Sequence, residues 1–347
     1  MSRARLTVRF AGPLVTYQDG GRVGQMRFGV AASGPMDRLS AQAANVALGN
    51  APGATLIEIS MGGLMLDCTE GALSVAVTGG DFAVTCGGTT HGSWTILALE
   101  AGETLAIRPG KRGSWAYLAL AGRVEADSWL GSVATHSTSG FGGGALSSGQ
   151  QIVVEEAGLR PERHGAIARP EFLPDDRRMR VVLGPQDRHF APEALAAFRS
   201  EPYALTNAFD RMGLRLEGPE LPLAGALSIP SEPITRGAVQ VAGDGVPTVL
   251  LADHQTTGGY PKIATVIADD IARLSQLRAG DRIRFAPVSP VDAVQIARQT
   301  ARARAAYLQA IAKPKGTLLQ RLMRANLISG AVTGGEGGPG AAGEPLG

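Results

Sequence analysis

Apolar and polar residues alternate with a period of two along many short stretches of this chain. In Leu73-Ser-Val-Ala-Val-Thr the alternation sets Leu73, Val75 and Val77 on one face. Residues 104–108, 115–120, 151–155, 180–183 and 282–285 carry the same signature, and the apolar run from Pro247 reads as a buried strand. Gly-Gly, Gly-Asp and Pro-Gly pairs separate these stretches, so short strands joined by tight turns are predicted. Helical spacing is rarer. Leu39, Ala43, Val46 and Ala47 predict a helix from Met36, with Ser33-Gly-Pro as its start and Gly49-Asn50 as its stop. A second helix is predicted from Pro192, with Leu195 and Phe198 inward. A third covers 263–277 and a fourth covers 290–312.

The Pro- and Arg-rich segment after Gly158 has no period and reads as a linker. The expected organisation is an N-terminal β-rich domain (1–160), a linker (161–176), a C-terminal barrel domain (177–288) and a C-terminal helix with a Gly-rich tail (289–347). Residues 99–107 and 277–285 share a tight turn feeding an alternating strand, which is consistent with two related β-barrel domains. Residues 313–329 form a basic, partly amphipathic stretch expected to dock on the protein itself, and the tail from Gly330 is expected to be disordered.

Composition narrows the function classes. Hydrophobic residues make up 44% and charged residues 18%, as in a globular protein. The net charge is +2 with no basic stretch interleaved with aromatics, so nucleic acid is not an expected partner. No apolar run is long enough to span a membrane, and residues 1–10 lack a signal-peptide core, so a cytoplasmic protein is expected. Cys68 and Cys86 read as buried thiols in neighbouring strands. The five histidines show no metal-ligand spacing, and no phosphate-binding loop or nucleophile elbow is present, so no metal site is expected.

The strongest candidate for chemistry is the polar break after the run from Pro247. Asp253, Gln255, Thr256 and Thr257 supply acceptors, amide donors and hydroxyls. Gly258-Gly259 could form an anion-binding nest, Tyr260 could wall a pocket, and Lys262 adds a point charge. A turn held by its own hydrogen bonds would carry the same residues, and the sequence alone does not separate the two readings. Ser33 and Asp37 flank the start of the first helix, an anion site or simply a helix cap, and the cap is the stronger physical reading. Asp187 with Arg188, and Asp210 with Arg211, read as structural ion pairs. Ser231-Glu232 is followed by 240–245, where Gln240 precedes an Asp244-Gly245 hairpin turn.

Several ordered blocks together carry a resemblance: 16–24 (Thr-x-Gln-Asp-x-Gly-Arg-x-Gly), 29–37, 45–50, 56–63, 184–187, 210–213, 240–245 and 253–262. They resemble the biotin-dependent carboxyltransferase (allophanate hydrolase subunit 2) family from about Leu6 to about Val288. That family includes the C subunit of 5-oxoprolinase, the carboxyltransferase part of urea carboxylase, and a protein that antagonises a sporulation-kinase inhibitor. The resemblance implies a mainly β fold with a few short helices, in two parts that include a cyclophilin-like β-barrel. It implies a subunit working with 5-oxoprolinase subunits B and A on a small amide or anionic substrate, with ATP used by the complex. It places Asp253, Gln255 and Lys262 as catalytic, and Thr256, Thr257, Gly258, Gly259, Tyr260, Gln240, Ser33 and Asp37 as substrate-binding. No biotin-attachment sequence is present, so no covalent biotin is expected. The alternatives are a biotin-dependent urea-type carboxyltransferase component and a binding protein titrating a kinase inhibitor of the B-subunit type. His254 stands where this family's pattern most often has Arg, and a neutral imidazole would hold an anion less strongly.

Overall fold

The computed structural model describes residues 2–174, 176–225, 228–316 and Met323. Two stacked sheets form the N-terminal half. The seven-stranded sheet runs in the order Arg123–Val124, Gln151–Glu155, Arg3–Ala11, Leu64–Glu70, Thr104–Pro109, Phe82–Cys86 and Thr89–Gly92. The six-stranded sheet runs Gly165–Ala166, Thr95–Glu100, Ala72–Gly79, Ala116–Leu120, Leu56–Ile59 and Thr16–Gln18. Leu73, Val75 and Val77 do share one face and meet Leu6, Val8 and Leu66 of the other sheet. The opposite face, with Ala76, Tyr117 and Ala119, is equally buried, because helix α1 (Arg38–Leu48) covers it.

The C-terminal half is a closed seven-stranded barrel: Arg178–Leu183, Lys262–Val266, Ala238–Val241, Pro247–Leu250, Gly213–Glu217, Tyr203–Phe209 and Arg282–Pro287. Parallel pairing of the last strand with the first closes it. Phe198 of helix α2 (Pro192–Ser200), Tyr203 and Phe285 pack together as a ring cluster, with Phe198 stacked on Phe285 at 4.4 Å. Helix α3 (Ala268–Ser275) follows the second barrel strand, and helix α4 (Pro290–Ala312) returns to pack across α1. One apolar core runs from α1 and the six-stranded sheet into the barrel interior. Trp115 of the first half meets Phe209 of the second edge to face at 6.2 Å.

Several expectations need correction. Residues 263–266 belong to a barrel strand rather than a helix, because Ile263, Ala264 and Val266 fill the barrel core and only the run from Ala268 can turn helical. The first half is a pair of stacked sheets, so the short repeat at 99–107 and 277–285 does not mark two closed barrels. The segment 161–176 is not a bare tether. Gly165–Ala166 adds to the six-stranded sheet, and Arg160 and Arg163 donate to the C-terminal carbonyls of α1, Leu48 O (2.6 Å) and Ala47 O (3.2 Å). On α2 the inward positions are Ala194 and Phe198, with Leu195 half-buried. Cys68 and Cys86 are buried and free, but the strand Thr104–Pro109 lies between theirs. The expectations for 317–347 lie outside the described residues apart from Met323.

Candidate functional site at the junction of the two halves

Arg211 is the hub of the junction. It sits in a turn after the strand Tyr203–Phe209, where Asp210 Oδ1 accepts from the backbone N–H of Met212 (2.7 Å) and Gly213 (3.1 Å). Asp210 is therefore a turn residue, and Arg211 pairs elsewhere. Its fully buried guanidinium donates from Nε and Nη2 to the two oxygens of Asp253 at 2.9 and 3.0 Å. Nη1 donates to Glu58, on the strand Leu56–Ile59 of the first half, and Nη2 also reaches Gly34 O at 2.8 Å. The second oxygen of Glu58 accepts from Met36 N at 2.6 Å, and Asp253 also accepts from Ser137 N at 2.9 Å. A planar fork of donors thus joins segments from both halves.

Burial acts alike on both carboxylates, but their partners differ. Burial pushes Glu58 above its ordinary value despite Arg211 and hydrogen bonds from Met36 N–H and Tyr117 OH. Burial pushes Asp253 the same way, yet the charge and bidentate bonds of Arg211 with the Ser137 N–H prevail and hold it below its ordinary value. Burial would lower Arg211, but Glu58 and Asp253 together hold it raised.

Beside this network opens a cleft of about 400 Å³, within the range of small-molecule sites. Asp253, His254, Gln255, Thr256 and Thr257 line it, with Val30, Ala31, His136, Ser139 and Met212. Arg22, Trp129 and Phe141 also line it. His254 is buried, and burial lowers its pKa, which favours the neutral ring. Its Nδ1 lies 2.6 Å from Gln255 O, which can only accept. The proton is therefore assigned to Nδ1, and Nε2 keeps its lone pair.

The loop predicted from sequence divides among three environments. Asp253 to Thr257 face the junction cleft. Gln255, Tyr260 and Gln240 line a second cavity of about 580 Å³ on the barrel, and Gln255 Nε2 donates to Gln240 Oε1 at 3.2 Å. Lys262 lies in a barrel strand opposite Gln240, with its side chain buried. Its backbone N–H donates to Gln186 Oε1 at 2.9 Å, and Gln186 in turn donates to Glu232. Lys262 Nζ is 3.9 Å from Glu232 Oε2 and makes no hydrogen bond among the described residues. Burial lowers the Lys262 pKa, and Glu232 opposes that shift. The amide Nε2 of Gln240 is likewise buried without an acceptor among the described residues.

Gly258 and Gly259 do not form a nest, because neither has the left-handed backbone that an αR–αL alternation requires. They permit close packing instead. A Cβ on Gly258 would lie 2.6 Å from Ile234 Cδ1, and one on Gly259 would lie 2.9 Å from Ile229 O. Thr257–Gly258 pairs with Glu232–Pro233. Ser33 is buried at φ 53° in the segment that carries Gly34 to Arg211. Asp37 caps α1: its carboxylate accepts from Ser40 N (3.1 Å), Ser40 Oγ (2.6 Å) and Gln276 Nε2 (3.0 Å). It lines a different groove. Asp187 and Arg188 form no ion pair, and Arg188 donates to Pro185 O instead.

The residues that sequence reasoning did not assign to the site are Arg22, Glu58, Arg211, Trp129, His136, Gln186 and Glu232. Arg22, Glu58, Gln186 and Arg211 lie inside the recognised blocks, which offered a signal. Trp129 and His136 fall in a Gly- and Ser-rich stretch with no period, which offered none.

Stacked sheets joined to a closed barrel, with a charged junction between them, make this a two-part, mainly β protein. The model of the carboxyltransferase domain, subdomain A and B, matches residues 28–287, and the chain belongs to this family. It is 32% identical to the C subunit of 5-oxoprolinase from Haemophilus influenzae, over 82% of this chain and 91% of that protein. It is 31% identical to urea amidolyase of Lachancea kluyveri over 83% of this chain, but over only 17% of that protein. Among solved structures, TTHA0988 is similar with a TM-score of 0.73 and 37% identity, over 82% of this chain. The chain spans 55% of that solved chain. The K. lactis urea amidolyase shares the fold, with a TM-score of 0.78 at 24% identity, over 88% of this chain and 20% of that one.

Proposed function

We propose that the chain is the C subunit of a 5-oxoprolinase, acting with subunits B and A to open 5-oxo-L-proline to L-glutamate with ATP hydrolysis. The observation that carries this reading is the set of buried, unsatisfied donors around the 253–262 loop, Lys262 Nζ and Gln240 Nε2, held on paired strands beside Gln255. A lactam is a poor electrophile. Transfer of the ATP γ-phosphoryl group to its carbonyl oxygen, with ADP leaving, would let water add to the ring carbon. The C–N bond then breaks as the nitrogen takes a proton, and a second water releases phosphate from the resulting acyl phosphate, so the negative phosphoryl oxygens call for fixed donors in a dry site. Neutral His254, with Nε2 free to accept, fits the group that takes the proton from water. The names of the relatives that match over most of their length support the same substrate. ATP enters as a substrate of the assembled complex, which is proposed to be cytoplasmic. No described helix is long and apolar enough to cross a membrane.

The test is glutamate release from 5-oxoproline and ATP by the chain mixed with subunits B and A. Lys262→Met is expected to lower turnover at least about 100-fold, the scale of one lost oxyanion donor, with assembly unchanged. An active wild-type complex indifferent to the substitution would remove Lys262 from the chemistry, and an inactive wild-type complex would sink the 5-oxoprolinase reading.

A further inference from the structure

Arg22 is one of the largest fully buried side chains of the molecule, 2% exposed, and it lines the junction cleft. Its Nε donates to Trp129 O at 3.0 Å and its Nη2 donates to Ala134 O. Its Nη1 donates to nothing among the described residues. The charge also lacks a contacting carboxylate there. Asp19, the nearest by influence, is engaged by Gly21 N (2.8 Å), Ser132 Oγ (2.6 Å) and Val133 N (2.7 Å), and Asp253 is taken by Arg211. A guanidinium carries five donors in a fixed fork, and a buried edge of that fork with no protein acceptor calls for one from outside the chain.

The surroundings restrict what that acceptor can belong to. Trp129 and Phe141 stack at 4.4 Å with an interplanar angle of 20°, and Phe141 is 48% exposed. The Arg22 Cζ lies 5.2 Å from the Trp129 ring. A cationic edge therefore meets a partly exposed aromatic wall inside a cleft of about 400 Å³.

We infer that Arg22 is the carboxylate anchor of this cleft, taking a small ring-bearing monocarboxylate with its acid group on Nη1 and its ring along Trp129 and Phe141. This deepens the proposed function and rests on it for the substrate, since 5-oxoproline is a five-membered ring with one carboxylate. Anchored so, its lactam is directed to His254 and to Gln255, which lines both this cleft and the barrel cavity that Gln240 shares. Arg22 is thus a binding and orienting residue, distinct from Lys262 and Gln240, the donors assigned to the reacting group.

The test uses the full chain and three probes, followed by titration calorimetry and by Trp fluorescence: 5-oxo-L-proline, cyclopentanecarboxylate, which lacks the lactam, and 2-pyrrolidinone, which lacks the acid. Both acids are expected to bind the wild type at least about tenfold more tightly than 2-pyrrolidinone. Arg22→Met is expected to erase that preference, and Phe141→Ser to weaken both acids while keeping it. Equal binding of all three probes by the wild type would overturn the anchor without any variant, which matters because Arg22 also holds two carbonyls and its replacement could unfold the site. An unchanged KM for 5-oxoproline in a complex carrying Arg22→Met would overturn the anchor and leave the proposed function standing. Arg22-dependent binding of cyclopentanecarboxylate, in a chain whose complex has no 5-oxoprolinase activity, would keep the anchor and sink that function.

Discussion

Arg211 places one positive charge between two carboxylates, and none of the three side chains reaches water. Breaking such a group by removing one member leaves uncompensated buried charge. Arg211→Met is expected to lower unfolding stability by roughly 3–5 kcal/mol, read by urea denaturation. A loss under about 1 kcal/mol would mean that the network is wet in solution. The network also sets an acid limit. Asp253 is held below its unfolded value, so its contribution is complete above about pH 4, the ordinary Asp range, and is lost as pH falls through the lower folded value. Arg211 was legible as a charged residue but not as a hub, because its partners lie 42 and 153 positions away. Adjacent Asp210 offered a nearer explanation, and only the fold shows it spent on its own turn.

Helices and strands were more readable where a local rule fixed them. The fourth helix matches its expected span because Ser289 caps it and Pro290 starts it. The first ends where expected, at Gly49 with φ 91°, but it starts at Arg38 rather than Met36, because Asp37 and not Ser33 is the cap that accepts from Ser40 N. Asp37→Ala is expected to cost about 1 kcal/mol of stability and to leave affinity for 5-oxoproline unchanged, measured by urea unfolding and calorimetry. Weakened binding at full stability would instead return Asp37 to the substrate-binding set. The third helix was drawn too long for a physical reason. Ile263 and Val266 carry a spacing that a helix and an irregular strand both satisfy, and the pairing of Lys262–Val266 on both sides decides for the strand. The loop after Asp253 was legible as a polar break, but its glycines serve contact with 229–234, and no one-dimensional pattern reports such an approach.

The largest apolar core of the described residues crosses the junction, from Ala44 and Tyr117 to Val239 and Phe285, so the two halves are expected to unfold together. Unfolding followed by Trp fluorescence and by far-ultraviolet circular dichroism is expected to give coincident transitions. Two resolved steps would show that the barrel and the stacked sheets melt apart. The two-part architecture and its barrel were legible from strand density, turn residues and the family resemblance. The junction was not, since its contacts join positions with no periodic relation.

Helix α4 lying across α1 has a consequence for the order in which the chain is made. The two helices are separated by roughly 240 residues, so a ribosome adding ~5–20 residues per second delivers α4 some tens of seconds after α1 has emerged. Until then the side of α1 that α4 will cover has no partner from its own chain. That side of α1 therefore stays without its final cover while the barrel strands, which precede α4 in the chain, are being made.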